Sequence, residues 1–298
     1  MKFLKSPRFM LIVSVVIFGT LAPFVRNIAV SSGELALYRA ILAALLIAAY
    51  FLVTGQRINF RAIKKEVPLL LLSGIAMGFN WILLFEAYKY TSVSVATLSY
   101  YFAPVLVTIL CPLLFKEKLT KKQILCFIMS TIGLALVIDI TNLGSGSADF
   151  LGVLFGLGAA VLYATVILIN KFIKNVAGIQ RTFLQFCAAI LVLIPYVLST
   201  SGITLHVLNA GGWACLLIVG ILHTGITYCL YFTALKELPG QEAAILSYMD
   251  PLVAIIISVT ILGESMSILQ LIGGLLILGF TIWNEMAPQQ KKIESSKP

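Results

Sequence analysis

Two short stretches decide how the chain is read: Leu98-Ser99-Tyr100-Tyr101-Phe102-Ala103-Pro104 and Leu246-Ser247-Tyr248-Met249-Asp250-Pro251. Each lies inside a long apolar segment, where a proline removes one backbone donor and frees the carbonyl one turn earlier. In hydrocarbon such a break survives only where protein or a wet cavity covers it. Paired interruptions at corresponding places in two halves of a chain point to a transporter's substrate site. Pro104 and Pro251 are therefore read as the helix breaks around which the rest is built.

The surrounding 298 residues are 60% hydrophobic and 11% charged, with a mean hydropathy of +1.03. A soluble domain is about half apolar and about a quarter charged, so this composition indicates an all-α integral membrane protein. The net charge of +9 is spread over short loops between apolar spans, which is a topology signal rather than a nucleic-acid-binding patch. Cys111, Cys126, Cys187, Cys215 and Cys229 lie in or beside apolar spans without CxxC spacing. They read as small packing residues, not as disulfides or metal ligands. The start, with Lys2, Lys5 and Arg8 before an apolar run, mimics a signal peptide. Its apolar run is longer than a signal core and lacks a small-x-small cleavage site before Pro23, so it is kept as the first membrane helix.

Apolar segments of roughly 18–22 residues, long enough to span a bilayer, can be counted along the chain. They run Phe9–Ile28, Glu34–Val53, Val67–Tyr88, Val93–Phe115, Gln123–Ile140, Phe150–Asn170, Thr182–Ser199, Trp213–Thr233, Glu242–Leu262 and Ile268–Glu285. That gives ten expected helices, divided at Gly144-Ser145-Gly146-Ser147 into repeats at 1–142 and 147–286, with a disordered tail at 287–298. Of the 21 basic residues, all but Arg26, Arg39 and Lys89 fall on one side of this arrangement. Both termini are therefore expected in the cytoplasm, with the chain in the plasma membrane.

The halves also match each other. A shift of 147 lays Ala87 on Ala234, Lys89 on Lys236, Ala96 on Ala243, Pro104 on Pro251, Glu117 on Glu264 and Gln123 on Gln270. With five helices in each half, the second half enters from the opposite side. The result is two inverted repeats around a central cavity.

Ala87-x-x-Tyr90-Thr91-Ser92, Pro104, Lys116-Glu117, Gln123, Ala234, Pro251, Gly263-Glu264, Gln270-x-x-Gly273 and Arg39 carry a resemblance. The chain resembles the ten-helix drug/metabolite transporter superfamily, EamA-type branch, over essentially its whole length. The resemblance implies movement of amino acids and related metabolites, or uptake of nutrients, through a cavity between the halves. Two departures stand out: Lys116 precedes the first-half glutamate where a glycine is usual, and Cys126 or Phe127 follows Gln123 where a glycine is usual.

Charged groups inside a span cost ~2.5–3.5 kcal/mol or more, so each needs a reason. Asp250 is the deepest, either a protonatable or cation-binding carboxylate facing the cavity or a structural partner of the helix break. Glu86 and Arg39 lie at similar depth and could pair as an outer gate; Glu86 could equally pair with Lys89. Glu117 and Glu264 read as architectural caps of equivalent loops. Tyr100, Tyr101, Thr97, Ser247 and Tyr248 sit within one turn of the two prolines, while Trp81 and Tyr88 share a face next to Asn80. Tyr163, Gln185, His223 and Tyr228 are further polar or aromatic residues within spans. Any of them is either a pocket wall or a packing residue. His206 and His223 have no partners at metal spacing, so neither metal nor cofactor is expected. Gly152, Gly156, Gly158 and Ala160 read as small-residue helix packing rather than a phosphate loop.

The sequence thus leads to a secondary transporter, not an enzyme, for a small organic metabolite, with an amino acid or aromatic compound and export favoured. Asp250 is the candidate proton site, and a monomer is expected. A passive facilitator or a vitamin-uptake permease is the alternative.

Overall fold

The structure, a computed structural model, describes residues 6–115, 120–138, 147–176, 178–235, 237 and 246–286. Lys116-Glu117, Lys236, Glu242, residues 144–146 and the 287–298 tail lie outside the described residues. All regular elements among the described residues are helical. They are α1 (Pro7–Gly19), α2 (Leu21–Arg26), α3 (Ser32–Thr54), the single turn α4 (Phe60–Ile63), α5 (Val67–Tyr90), α6 (Val93–Tyr100) and α7 (Ala103–Phe115). Then follow α8 (Lys121–Ile138), α9 (Ser147–Asn170), α10 (Gly178–Ser199), α11 (Ala210–Leu217), a π-helical segment (Ile218–Ile226), α12 (Thr227–Leu235), α13 (Met249–Thr260) and α14 (Ile268–Glu285).

Among the described residues, seven helical stretches are long and apolar enough to cross a membrane. These are Pro7–Arg26, Ser32–Thr54, Val67–Tyr90, Val93–Leu110, Asp149–Asn170, Gly178–Ser199 and Ala210–Ala234. Met249–Thr260 and Ile268–Asn284 are shorter apolar helices. Leu52, Val53, Leu191 and Leu275 stand largely exposed on the outer surface. An apolar exterior of that kind belongs in lipid.

Local chemistry sets the ends and breaks. Ser31 accepts from the Glu34 amide while Glu34 accepts from the Ser31 amide, a capping box that starts α3. Ser267 and Gln270 repeat the device at α14. The proline ring excludes the carbonyl four residues back. Four residues before Pro104 is Tyr100, where α6 ends; four before Pro251 is Ser247, next to the turn at Tyr248. Pro23 does the same to Gly19, and the first span breaks at Thr20 into α1 and α2.

Helices approach closely through small residues. Gly156 of α9 faces Ser99, whose Cβ would lie 2.9 Å from an added Cβ, and Gly152 faces Thr91 at 2.6 Å. The glycines of α9 are packing residues, as read from their spacing. Backbone meets backbone where α8 crosses α14: a Cβ on Gly273 would fall 2.4 Å from the Gly133 carbonyl oxygen. Backbone cannot swing aside as a side chain can, so Gly273→Ala is expected to lower stability by about 1–3 kcal/mol. Thermal unfolding of the purified variant in detergent measures it; an unchanged midpoint refutes the close crossing.

Polar ties replace hydrophobic contrast between helices. Gln185 of α10 donates to Ser73 on α5 at 2.6 Å and to the Asn170 side chain at 2.8 Å. Just ahead of α5, Glu66 accepts from the amide of Lys174 at 3.0 Å and from both the amide and side chain of Asn175. The Lys174 amide foremost, then Asn175 and the Arg181 charge, hold its carboxyl below the ordinary 4.5 against the opposing cost of burial. A carboxylate lowered on folding stabilises the fold above its unfolded value and loses that contribution as pH falls through its folded value. Glu66→Gln should therefore lower the melting temperature at neutral pH. The gap to the parent protein should narrow as pH drops below 4.5. A gap independent of pH, read by thermal scans across that range, would remove Glu66 as the cause.

Candidate functional site

The helix breaks converge on one cavity of about 370 Å³. The α1–α2 break supplies Phe18, Gly19, Leu21 and Ala22; the α6–α7 break supplies Tyr100, Tyr101 and Pro104. The turn before α13 supplies Ser247 and Tyr248 and the first turn of α13 supplies Asp250, while Tyr228 and Tyr231 come from α12 and Tyr163 from α9. A backbone interrupted by proline cannot stack side chains at regular helical angles, so residues near each break turn into the shared space.

The walls are aromatic. Tyr100 and Tyr101 meet edge to face with centroids 5.7 Å apart, Tyr100 and Tyr163 lie at 5.3 Å, and Tyr101 and Tyr248 at 6.4 Å. Across from them Phe18 contacts Tyr228 and Tyr231 at 5.2 and 6.0 Å. Tyrosine offers a ring face to an apolar or cationic group and a hydroxyl to a polar one. Two charges interrupt this lining. Asp250 accepts a hydrogen bond from the Tyr101 hydroxyl. Arg39, only 3% exposed, lies with its guanidinium 4.4 Å from the Trp81 ring centre and donates from Nε to Thr224 at 3.0 Å.

Comparison with known proteins decides the family. The model of the EamA-like transporter family matches the chain twice, over residues 6–139 and 150–284. The chain belongs to the EamA-like transporter family. Among its relatives, an uncharacterized transporter, YxxF of Bacillus subtilis (strain 168), is 32% identical over 270 residues. That match covers 90% of this chain and 85% of the relative. An uncharacterized transporter of Archaeoglobus fulgidus is 27% identical over 281 residues, covering 92% and 95% of the two chains. A crystal structure of a protein 19% identical in sequence superposes with a TM-score of 0.64 over 92% of this chain and 95% of that one, a likeness of fold. As an EamA-like transporter, the protein is a multi-pass membrane protein, and its relatives are named as transporters.

Within this EamA-like transporter, the breaks bring together Tyr100, Tyr101, Pro104, Ser247, Tyr248 and Asp250, and Arg39, Trp81 and Tyr163 join them at the cavity wall. Five sequence candidates stand elsewhere, among them Gln185 in the tie to Ser73 and Asn170. Asn80 is buried and donates to the Ala159 carbonyl of α9 at 2.6 Å, a helix-to-helix tie. His223 turns its Nε2 to Thr20 at 3.1 Å and packs against Phe24. Glu86 pairs with Lys89 at 3.0 Å, so the Glu86–Arg39 gate is replaced by a local pair one turn apart. Pro251 is buried behind the cavity wall, shaping the break without lining the space.

Sequence reasoning missed the α1 wall and Tyr231; Pro23 was the available signal for the first. The π-helical segment was also missed. Such segments favour functional sites, and here the segment presents both Thr224, which holds Arg39, and His223, which holds the α1–α2 break.

Glu264, which is not among the residues lining the cavity, draws several elements together. It pairs with Arg26 at 2.6 Å, accepts the Val93 amide at 2.8 Å and accepts the Ser258 hydroxyl. Arg26 in turn donates to the Tyr88 and Thr91 carbonyls at 3.3 Å.

Proposed function

We propose that this is a secondary transporter that moves a small amphipathic metabolite, an amino acid or an aromatic compound, out of the cell by alternating access. The proposed architecture is ten membrane helices in two inverted five-helix repeats, 1–142 and 147–286, with both termini cytoplasmic and the protein acting as a monomer. The observation that carries the reading is the aromatic cavity at the meeting point of the Pro104 and Pro251 breaks, holding one carboxylate, Asp250. The family model's two matches, 6–139 and 150–284, support the duplication.

An aromatic-walled space with a few placed polar groups selects small organic solutes and orients them. Asp250 can bind an amine or take up a proton, but one carboxylate serves one partner at a time. Competition between the two is the simplest coupling of a proton to a substrate. Rocking one repeat against the other would then carry either occupant across.

The test begins with thermal-shift screening of the purified chain against amino acids, vitamins and organic cations, since a bound ligand raises apparent stability by mass action. The solute found is then loaded into proteoliposomes under an imposed proton gradient. Accumulation that reverses with the gradient supports coupled transport. Equilibration that ignores the gradient replaces it with a passive facilitator, and a vitamin as the bound solute favours an uptake permease.

A further inference from the structure

Resting on the transport reading of the same cavity, we infer that its ligand is dipolar with the charges held apart, an ammonium end at Asp250 and a carboxylate end at Arg39. Arg39 is buried, yet among the described residues its one hydrogen bond runs from Nε to Thr224, itself fixed by donating to the Val219 carbonyl at 2.8 Å. The ring faces of Trp81 and Phe85, at 4.4 and 5.3 Å, cover the guanidinium. A hydroxyl and two ring faces leave the charge without a counter-ion among the described residues, and a guanidinium presents a two-pronged donor edge suited to a carboxylate. Buried charge is normally paired. Here Arg39 lines the cavity, so the place for its partner is the place where a ligand binds.

Asp250 is the mirror case. Its carboxylate accepts from Tyr101 and lines the same cavity. Arg26 pairs with Glu264 and Glu86 with Lys89, and among the described residues no ion pair joins Arg39 to Asp250. They stand on different walls. The helix of Arg39, α3, packs on α5, α10 and the π-helical segment, whereas that of Asp250, α13, packs on α1 and α6. Their depths differ too. Arg39 lies seven residues past Ser32, and Asp250 ten residues before Thr260. At the helical rise those are about 10 and about 15 Å from one end of the molecule, an end shared because Arg26 and Glu264 join there.

An α-amino acid carries its two charges on one carbon, so it reaches across less of the cavity than a ligand whose charges stand at opposite ends. A ligand with a ring or chain between amine and carboxylate can satisfy both while its middle lies against Tyr100 and Tyr228, both of which line the cavity. The chemical class is therefore an ω-amino acid or an aromatic amino-carboxylate with its charges at opposite ends.

The test uses the full purified chain and four single-ring probes: para-aminomethyl-phenylacetate, phenylalanine, benzylamine and phenylacetate. Binding is read by thermal shift and titration. The first probe is expected to bind roughly tenfold or more tightly than each of the others, one extra charge-assisted contact being worth that ratio. Arg39→Gln should bring it down to the benzylamine level, and Asp250→Asn to the phenylacetate level. Should Arg39→Gln fail to fold, Arg39→Lys keeps the charge without the fork and should retain part of the gain. Phenylalanine binding as well as the long probe, or a gain that survives Arg39→Gln, overturns the inference. If benzylamine binds and an added carboxylate contributes nothing, the second pole is wrong while the transport reading stands. If none of the four binds or enters proteoliposomes, both fall.

Discussion

Asp250→Asn is expected to end gradient-driven accumulation while leaving the protein folded. Asparagine has the shape of aspartate and its amide oxygen can still accept the Tyr101 hydroxyl, so the first turn of α13 keeps its hydrogen bond. What disappears is the charge and the proton site. Removing one partner of a desolvated ion pair costs about 2–5 kcal/mol, so an amine-bearing solute should bind roughly 30-fold more weakly or worse. Uptake assays in proteoliposomes should then show slow equilibration that ignores the proton gradient, with a melting temperature close to that of the parent. Tyr101→Phe makes the useful companion. It keeps the ring and deletes the donor, and its smaller loss of about 1 kcal/mol would separate the role of the hydroxyl from that of the charge. An Asp250→Asn protein that still concentrates solute against the gradient would return the carboxylate to a structural role at the helix break.

The two breaks were legible because proline acts on its own chain. Pro104 falls where α6 ends at Tyr100, and Pro251 acts likewise on the turn at Tyr248, whereas Pro195 sits inside the continuous α10. Hydropathy located the seven long apolar stretches and two shorter apolar helices of the described residues for the same reason: bilayer thickness is a property of length and composition. Which way a polar residue turns inside a span was not legible. In a soluble helix the apolar stripe marks the inner face, but here the lipid face and the inner face are both apolar. Asn80, Trp81 and Tyr88 could not be sorted by pattern; Trp81 and Tyr88 reach the cavity, while Asn80 finds a backbone carbonyl on α9. Arg39 poses the same difficulty, since its partner Thr224 is 185 residues away and sits on a π-helical turn with no sequence signature of its own. Glu86 shows the converse: depth allowed Arg39 and spacing allowed Lys89, and the structure has the local i,i+3 pair.

Glu264 should give the second large effect, because one carboxylate there serves three donors from separate elements. It takes Arg26 from the end of α2, the first amide of α6 and the Ser258 hydroxyl of α13, while Ser94 of α6 donates to Ser258 at 2.8 Å. The amide of Val93 is one of the unpaired donors at a helix start, where negative charge is favoured. Glu264→Ala deletes all three acceptor contacts. Hydrogen bonds to a charged group are worth about 1.5–3 kcal/mol each. Arg26 is nearly a third exposed, so its share is screened and contributes little. A net loss of about 3–6 kcal/mol follows, mostly from Val93 and Ser258. Glu264→Gln keeps one carbonyl acceptor and should fall between the two proteins in melting temperature. These bonds tie α6, in the first family match, to α13, in the second, so rocking one half against the other would have to break them. A single cysteine placed at Ser247 should then react faster with a membrane-impermeant thiol reagent in the Glu264→Gln protein than in its parent. Equal rates with a lowered melting temperature would leave Glu264 as a brace of the fold and place the moving contact elsewhere.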